Sequence, residues 1–326
     1  MPHMQVEIAP RTGLHLKNPV LAASGTFGYG VEYARRLDLS GLGAIVSKGT
    51  TLRPRAGNQP LRLWETSGGM LNAIGLQNIG VDAVVRETAP EWASWDVPVL
   101  VNVSGGTVEE YVEIARRLGD AAGVAGLELN ISCPNVKAGG VAFGTAPGQA
   151  GEVTAAVRAV TTMPLVVKLS PNVTDIRSIA IAVQDAGADA VSLINTLYGM
   201  AIDTKTRRPV LSTVSGGLSG PATKPHALHL VYEVAQEVTV PVIGYGGIMS
   251  AADAIEFLLA GATAVGLGTA LLVNPLCWRD VVAGLARWCE REGVLDLMDI
   301  VGAANIGFAG GRSKRELAGL TAGGPS

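Results

Sequence analysis

The chain has 326 residues, 48% of them hydrophobic and 16% charged, with a formal net charge of −3. That length admits two domains or one large α/β barrel, and the apolar fraction supplies a large core. The slight acidity gives no sign of a nucleic-acid surface, and three cysteines are too few and too scattered for a disulfide framework.

The start, Met1-Pro2-His3-Met4-Gln5, has no signal-peptide pattern, so a reduced, cytoplasmic protein is expected. Residues Val6 to Lys17 read as a small hairpin capping one end of the fold. Eight short apolar runs follow, in two alternating styles. Four enter through proline: Asn18-Pro19-Val20-Leu21, Val97-Pro98-Val99-Leu100, Met163-Pro164-Leu165-Val166 and Val240-Pro241-Val242-Ile243. The other four enter through small residues, beginning at Leu42-Gly43-Ala44, Gly123-Val124-Ala125, Gly187-Ala188-Asp189 and Gly261-Ala262-Thr263. Each is nearly continuous in Val, Leu and Ile, as a parallel strand buried on both faces should be.

Amphipathic helical stretches lie between most of these runs. Thr107 to Leu118 is one, with Thr107 and Glu110 spaced for a capping box; Thr174 to Asp185, Lys224 to Val238 and Ser250 to Leu259 are others. Eight strand–helix repeats predict a (β/α)₈ TIM barrel, one domain over 1–326, with a doubly wound open sheet as the competitor. Two connections are long enough to suggest function: Gly49 to about Asn78, and Leu197 to about Thr223 with a possible hairpin around Val210 to Ser215. A third irregular stretch, Ser132 to Gly148, has the glycines of a lid. Phe257 to Trp278 contains no charged residue, but Gly261, Gly266, Gly268 and Asn274-Pro275 interrupt it. It reads as a helix end, a buried strand and a new helix, not a membrane span. Thr321 to Ser326 is expected to be a loose tail.

In such a barrel, chemistry gathers where the strands finish. Those ends carry Ser24, Lys48, Asn102, Asn130, Lys168, Asn195, Gly246-Gly247 and Gly268-Thr269. Burying a lysine without an anionic partner is costly, so Lys48 and Lys168 call for a negative ligand or a charge that develops. Gly246-Gly247 and Gly268-Thr269 occupy the positions after the seventh and eighth strands where barrels of this kind bind phosphate. A phosphorylated cofactor with a large planar head, gripped by asparagines and lysines, suggests flavin mononucleotide (FMN). Just after the fourth run, Asn130-Ile131-Ser132-Cys133-Pro134-Asn135 places a thiol among polar groups, more plausibly a reagent than core filling.

These residues resemble the dihydroorotate dehydrogenases, flavin enzymes of pyrimidine biosynthesis, from Asn18 to about Leu272. The cysteine is similar to that of class 1. Asn130 to Lys137, Ala142-Phe143-Gly144-Thr145, Met70 to Asn78 and Gly216 to Ala222 look like subclass B, with no departure at a motif position. The resemblance implies that Cys133 is the base at dihydroorotate C5 while hydride passes from C6 to FMN N5, with Lys168 as the second catalytic residue. It assigns Ser24, Lys48, Gly49, Asn102, Asn130, Lys168, Ile194, Gly220, Gly246, Gly247, Gly268 and Thr269 to the flavin. To the substrate it assigns Lys48, Asn72, Ala73, Ile74, Gly75, Leu76, Asn130, Asn195 and Thr196. It also implies a homodimer within a heterotetramer, whose partner subunit carries FAD and a [2Fe–2S] cluster and passes electrons to NAD⁺. Three cysteines cannot ligate such a cluster alone, and Cys277 and Cys289 are expected to be packed thiols. The pyrimidine-reducing part of a dihydropyrimidine dehydrogenase, a fumarate-linked subclass A enzyme, and a non-catalytic flavin- or phosphate-binding barrel remain as alternatives.

Overall fold

A computed structural model describes residues 2–131 and 143–305. Eight parallel strands close into a barrel in sequential order: Val20–Ala22, Ala44–Val46, Val99–Val103, Val124–Asn130, Leu165–Lys168, Ala190–Leu193, Val242–Tyr245 and Ala264–Leu267. All eight coincide with the apolar runs of the sequence. The barrel closes where the eighth strand pairs with the first, Val265 with Val20, Gly266 with Leu21 and Leu267 with Ala22. An open doubly wound sheet is thereby excluded.

Helices pack the outer face through apolar stripes. On Val108–Gly119 the buried residues are Tyr111, Ile114, Ala115 and Leu118, and on Ile176–Asp185 they are Ile176, Ile179, Ala180 and Val183. Both sets follow the i, i+3, i+4, i+7 spacing that puts one face toward the sheet. The expected capping box at Thr107 is only half made. Thr107 Oγ1 accepts from the Glu110 N–H, but the Glu110 carboxylate takes the N–H of Gly106 instead of Thr107. The complete box is at Ser250 and Asp253, which opens Ala251–Leu259.

The N-terminal hairpin, Val6–Ala9 with Leu14–Leu16, forms as expected. Arg11 from its turn reaches Asp189 at the start of the sixth strand, which places the hairpin at the floor of the barrel. Residues 257–278 contain a helix end, the eighth strand and two further helices, Thr269–Val273 and Cys277–Glu292. Among the described residues no helix is long and apolar enough to cross a membrane.

The two long connections differ from expectation. The predicted hairpin around Val210 to Ser215 is absent: those residues form turns, and a short ladder lies earlier, between Ile202–Asp203 and Arg208–Pro209. The remaining strands of both connections combine into one antiparallel sheet, in the order Leu197–Gly199, Gly216–Ser219, Gly69–Asn72, Leu63–Thr66. Gly217 faces Asn72 and Leu218 faces Leu197, so residues about 145 apart in sequence meet above the strand ends. The lid expected over Ser132 to Gly148 lies outside the described residues up to 142, beyond which Phe143–Thr145 is a 3₁₀ turn leading into Pro147–Arg158. The tail from Thr321 also lies outside them.

Candidate active site

Parallel pairing puts register partners on the same face of the sheet, so one chain of partners defines the barrel interior. Leu100 pairs with Val46, Asn102 with Glu128, Asn130 with Lys168, Lys168 with Ser192, Ser192 with Ile243, and Tyr245 with Gly266. Lys168, Asn102 and Asn130 therefore point inward, and so do Glu128 and Tyr245. A Cβ at Gly266 would run into the Tyr245 ring, so glycine there leaves room for the phenol inside the barrel.

The inward polar groups form a connected set. The Lys168 ammonium donates to Ser24 Oγ at 3.1 Å, lies 4.5 Å from the Tyr245 ring centroid and stands 3.6 Å from Glu128 Oε1. Asn102 Nδ2 donates to Glu128 Oε1 at 3.4 Å, and Tyr245 donates its hydroxyl to Oε2 at 3.5 Å. Burial first, and then the charge and hydrogen bond of Glu128, push the Tyr245 phenol well above its ordinary range, which keeps it neutral and a donor. Above this layer, Asn195 Nδ2 donates to Asn130 Oδ1 at 3.2 Å, and the Tyr111 hydroxyl donates to the Asn130 carbonyl at 2.7 Å. One outer helix thus steadies the end of the fourth strand.

Lys48 sits at the mouth, half-buried. Burial, assisted by Arg62 and opposed by Glu32, moves its ammonium below the ordinary lysine range. Among the described residues it has no carboxylate within ion-pair distance, a cation held ready for an anion. Next to it Gly49 stands beside Asn102 Oδ1 and Leu76, and a Cβ there would lie 3.1 Å from the amide oxygen. Asn72 Nδ2 donates to the Gly217 carbonyl at 3.2 Å, while Thr196 packs on the other side of Gly217. The Asn72-to-Leu76 segment and Asn195-Thr196 are thereby brought to the same mouth. Asn58 ties that segment down, donating through its backbone N–H to Ile74 O and through Nδ2 to Ala73 O.

The glycines gather beyond the ends of the seventh and eighth strands. Gly246 abuts Ile194, and Gly220 lies beside Thr269, whose hydroxyl donates to Ser219 Oγ at 2.8 Å. Gly247 has φ 72°, and a Cβ on it would meet the Lys224 backbone nitrogen at 2.8 Å and the Gly220 carbonyl at 2.9 Å. Only a residue without a side chain fits between these backbones, a condition that a main-chain phosphate cradle also requires. Together the cradle, the amides and the lysines suit FMN. Lys224 beside it is already engaged, 2.7 Å from both Asp253 and Glu256.

The family model described as Dihydroorotate dehydrogenase matches residues 6–288. The chain belongs to the dihydroorotate dehydrogenase family. It is 57% identical over 302 residues to a protein of Pelobacter propionicus named dihydroorotate dehydrogenase B (NAD(+)), catalytic subunit, an alignment covering 93% of this chain and 98% of that one. Proteins of the same name from Geotalea daltonii and Desulforudis audaxviator are 55% and 57% identical, over 94% and 90% of this chain and 99% and 95% of theirs.

Within this member of the family, Cys133 lies outside the described residues; the described chain stops at Ile131, whose carbonyl accepts from the Gly144 N–H at 2.8 Å. Cys277 and Cys289 are buried, as expected of packed thiols. Burial, with Asp280 adding to it, pushes the Cys277 thiol up to about 11. Sequence reading passed over Glu128 and Tyr245. Their signal was parity: each stands two residues before a strand-end position, Asn130 or Gly247, and so shares its inward face.

Proposed function

We propose that this chain oxidises (S)-dihydroorotate to orotate in pyrimidine biosynthesis, as one FMN-binding barrel domain spanning 1–326. The observation that carries this reading is the mouth itself, where Asn72, Asn102, Asn130, Asn195, Lys168 and a Lys48 without an ion pair among the described residues converge. Planar amides matched by a ring of asparagines, and a carboxylate matched by the Lys48 ammonium, describe dihydroorotate well.

FMN, when bound, supplies the acceptor for hydride from C6. The backbone of Gly246, Gly247, Gly268 and Thr269 holds its phosphate, with Ser24, Gly49, Ile194 and Gly220 completing its walls. Lys168 would stand at the flavin, where a preorganised cation would stabilise the negative charge gained on reduction. Lys48 binds the substrate carboxylate, Asn72, Asn130, Asn195 and Thr196 hydrogen-bond its ring, and Ala73 to Leu76 wall it in. Cys133 removes the proton from C5, a task for which a thiol of reference pKa near 8.5 needs only modest tuning.

Electrons then leave through a separate subunit carrying FAD and [2Fe–2S], with NAD⁺ as final acceptor. The supporting point is the name of the relatives, a NAD(+)-linked enzyme with a catalytic subunit. The assembly is a homodimer of this chain with two partner subunits, in the cytoplasm.

The test is an anaerobic titration of the purified chain, following flavin absorbance as dihydroorotate and then NAD⁺ are added. Bleaching by dihydroorotate without recovery on NAD⁺ is the expected result. A yellow protein that dihydroorotate leaves oxidised overturns the substrate. Cys133→Ser should keep its flavin and lose about 10²–10⁴ in turnover; unchanged turnover removes the base from Cys133.

A further inference from the structure

TIM-barrel interiors are packed with branched apolar side chains, and a carboxylate among them costs several kcal/mol unless something is gained. Glu128 is such a residue, with 0% exposure, two positions below Asn130 and so about 7 Å deeper along the strand. Its three neighbours, Lys168, Asn102 and Tyr245, come from three different strands, at 3.4–3.6 Å. Charge-assisted hydrogen bonds built for strength are about 2.7–2.9 Å long. Among the described residues Glu128 is thus shared among three groups and locked to none. Two of the three, Lys168 and Asn102, are residues assigned above to the flavin. With Nδ2 of Asn102 turned down to the carboxylate, Oδ1 turns toward Gly49 at the mouth.

We propose that Glu128 is a positioning residue: it holds the Lys168 ammonium and the Asn102 amide beneath the flavin, and its charge offsets that of Lys168 so that the flavin's reduction potential stays low. This rests on the FMN reading above. Among the described residues Lys168 and Glu128 together make a layer of zero net formal charge inside the barrel, with neutral Tyr245 closing it, and Lys48 stands at the rim. Remove the carboxylate charge, and the flavin accepts electrons above an unopposed cation.

The experiment measures the two-electron midpoint potential of bound FMN at pH 7 by anaerobic dithionite titration against a reference dye. Wild type is compared with Glu128→Gln, which keeps the shape and loses the charge, and Glu128→Asp, which keeps the charge and shortens the reach. Glu128→Gln should raise the potential by about 30 mV or more, a tenfold change in the two-electron equilibrium, with Glu128→Asp staying nearer wild type. Lys168→Met should shift it the opposite way. An unchanged potential in Glu128→Gln, or equal shifts in both Glu128 variants, overturns the proposal.

If Glu128→Gln holds FMN too weakly for titration, FMN affinity becomes the readout. Weakening about tenfold or more confined to Glu128→Gln supports the role of charge, and equal weakening in Glu128→Asp overturns it. Because dithionite is the reductant, a wild type that binds FMN and ignores dihydroorotate overturns the substrate reading alone. A wild type that takes up no FMN overturns both.

Discussion

Asp189, at the start of the sixth strand, and Glu128, inside the fourth, both have fully buried carboxylates, and the barrel treats them differently. Asp189 accepts from Arg11 Nε at 2.8 Å, Arg158 Nη1 at 2.9 Å and the Leu165 N–H at 2.8 Å. Arg158 goes on to the carbonyls of Thr161 and Met163, so hairpin, helix end and strand are joined at one point of the floor. Glu128 has no partner nearer than 3.4 Å among the described residues. Charge at the floor is compensated within the protein by short, matched contacts, which serves the fold. Near the mouth Glu128 is held only by longer contacts, and Lys48 has no carboxylate within ion-pair distance among the described residues, which leaves cationic capacity for a ligand.

The largest effect that could break this contrast is on stability. Asp189→Ala leaves Arg158 and the Leu165 N–H without their acceptor, and should cost about 3–5 kcal/mol in urea unfolding. Arg158→Ala should cost more than Arg11→Ala, because the Arg158 side chain is 17% exposed and that of Arg11 54%. A floor variant that unfolds at the wild-type urea concentration would remove the floor's structural role.

Lys48→Met sharpens the other half of the contrast. Lys48 has no ion pair to lose among the described residues, so stability should stay within about 0.5 kcal/mol of wild type or rise. KM for dihydroorotate should rise about 10- to 100-fold, the worth of charged hydrogen bonds to a carboxylate. Should Lys48→Met destabilise the protein as much as Asp189→Ala, the mouth and the floor are not built on different principles.

The smallest expected effect concerns Cys277, the first residue of the helix Cys277–Glu292. Its folded-state thiol titrates near 11, above the unfolded chain, so the folded state holds the proton longer. The corresponding stability is complete below about pH 8.5 and is lost as pH climbs toward the folded value. Urea midpoints from about pH 8 to about pH 10.5 should therefore fall less steeply in Cys277→Ala than in wild type. Parallel slopes would show that burial of this thiol is not coupled to folding.

Much of the barrel was legible because each strand is a short apolar run entered through proline or a small-residue pair, and each run became one strand. The residues at the mouth were legible for a related reason. Polar groups at the end of an apolar strand stand out, and Lys48, Asn102, Asn130 and Lys168 all do. What hid Glu128 and Tyr245 was the same continuity. A strand buried on both faces shows no alternation, so only parity counted back from the strand-end residues separates those that turn into the barrel from those that turn toward the helices.

Strand number, helix spacing and the chemistry of the strand ends follow from local pattern, since each depends on burial over a few neighbouring residues. Tertiary structure decided the rest. It joined the two long connections into a single sheet, placing Asn72 against Gly217 and Thr196. It also separated the two strand-end lysines, giving Lys168 a carboxylate neighbour and leaving Lys48 without one among the described residues. Both outcomes depend on barrel closure, which brings residues far apart in sequence within contact distance, and a charge acquires its partner only when that geometry exists.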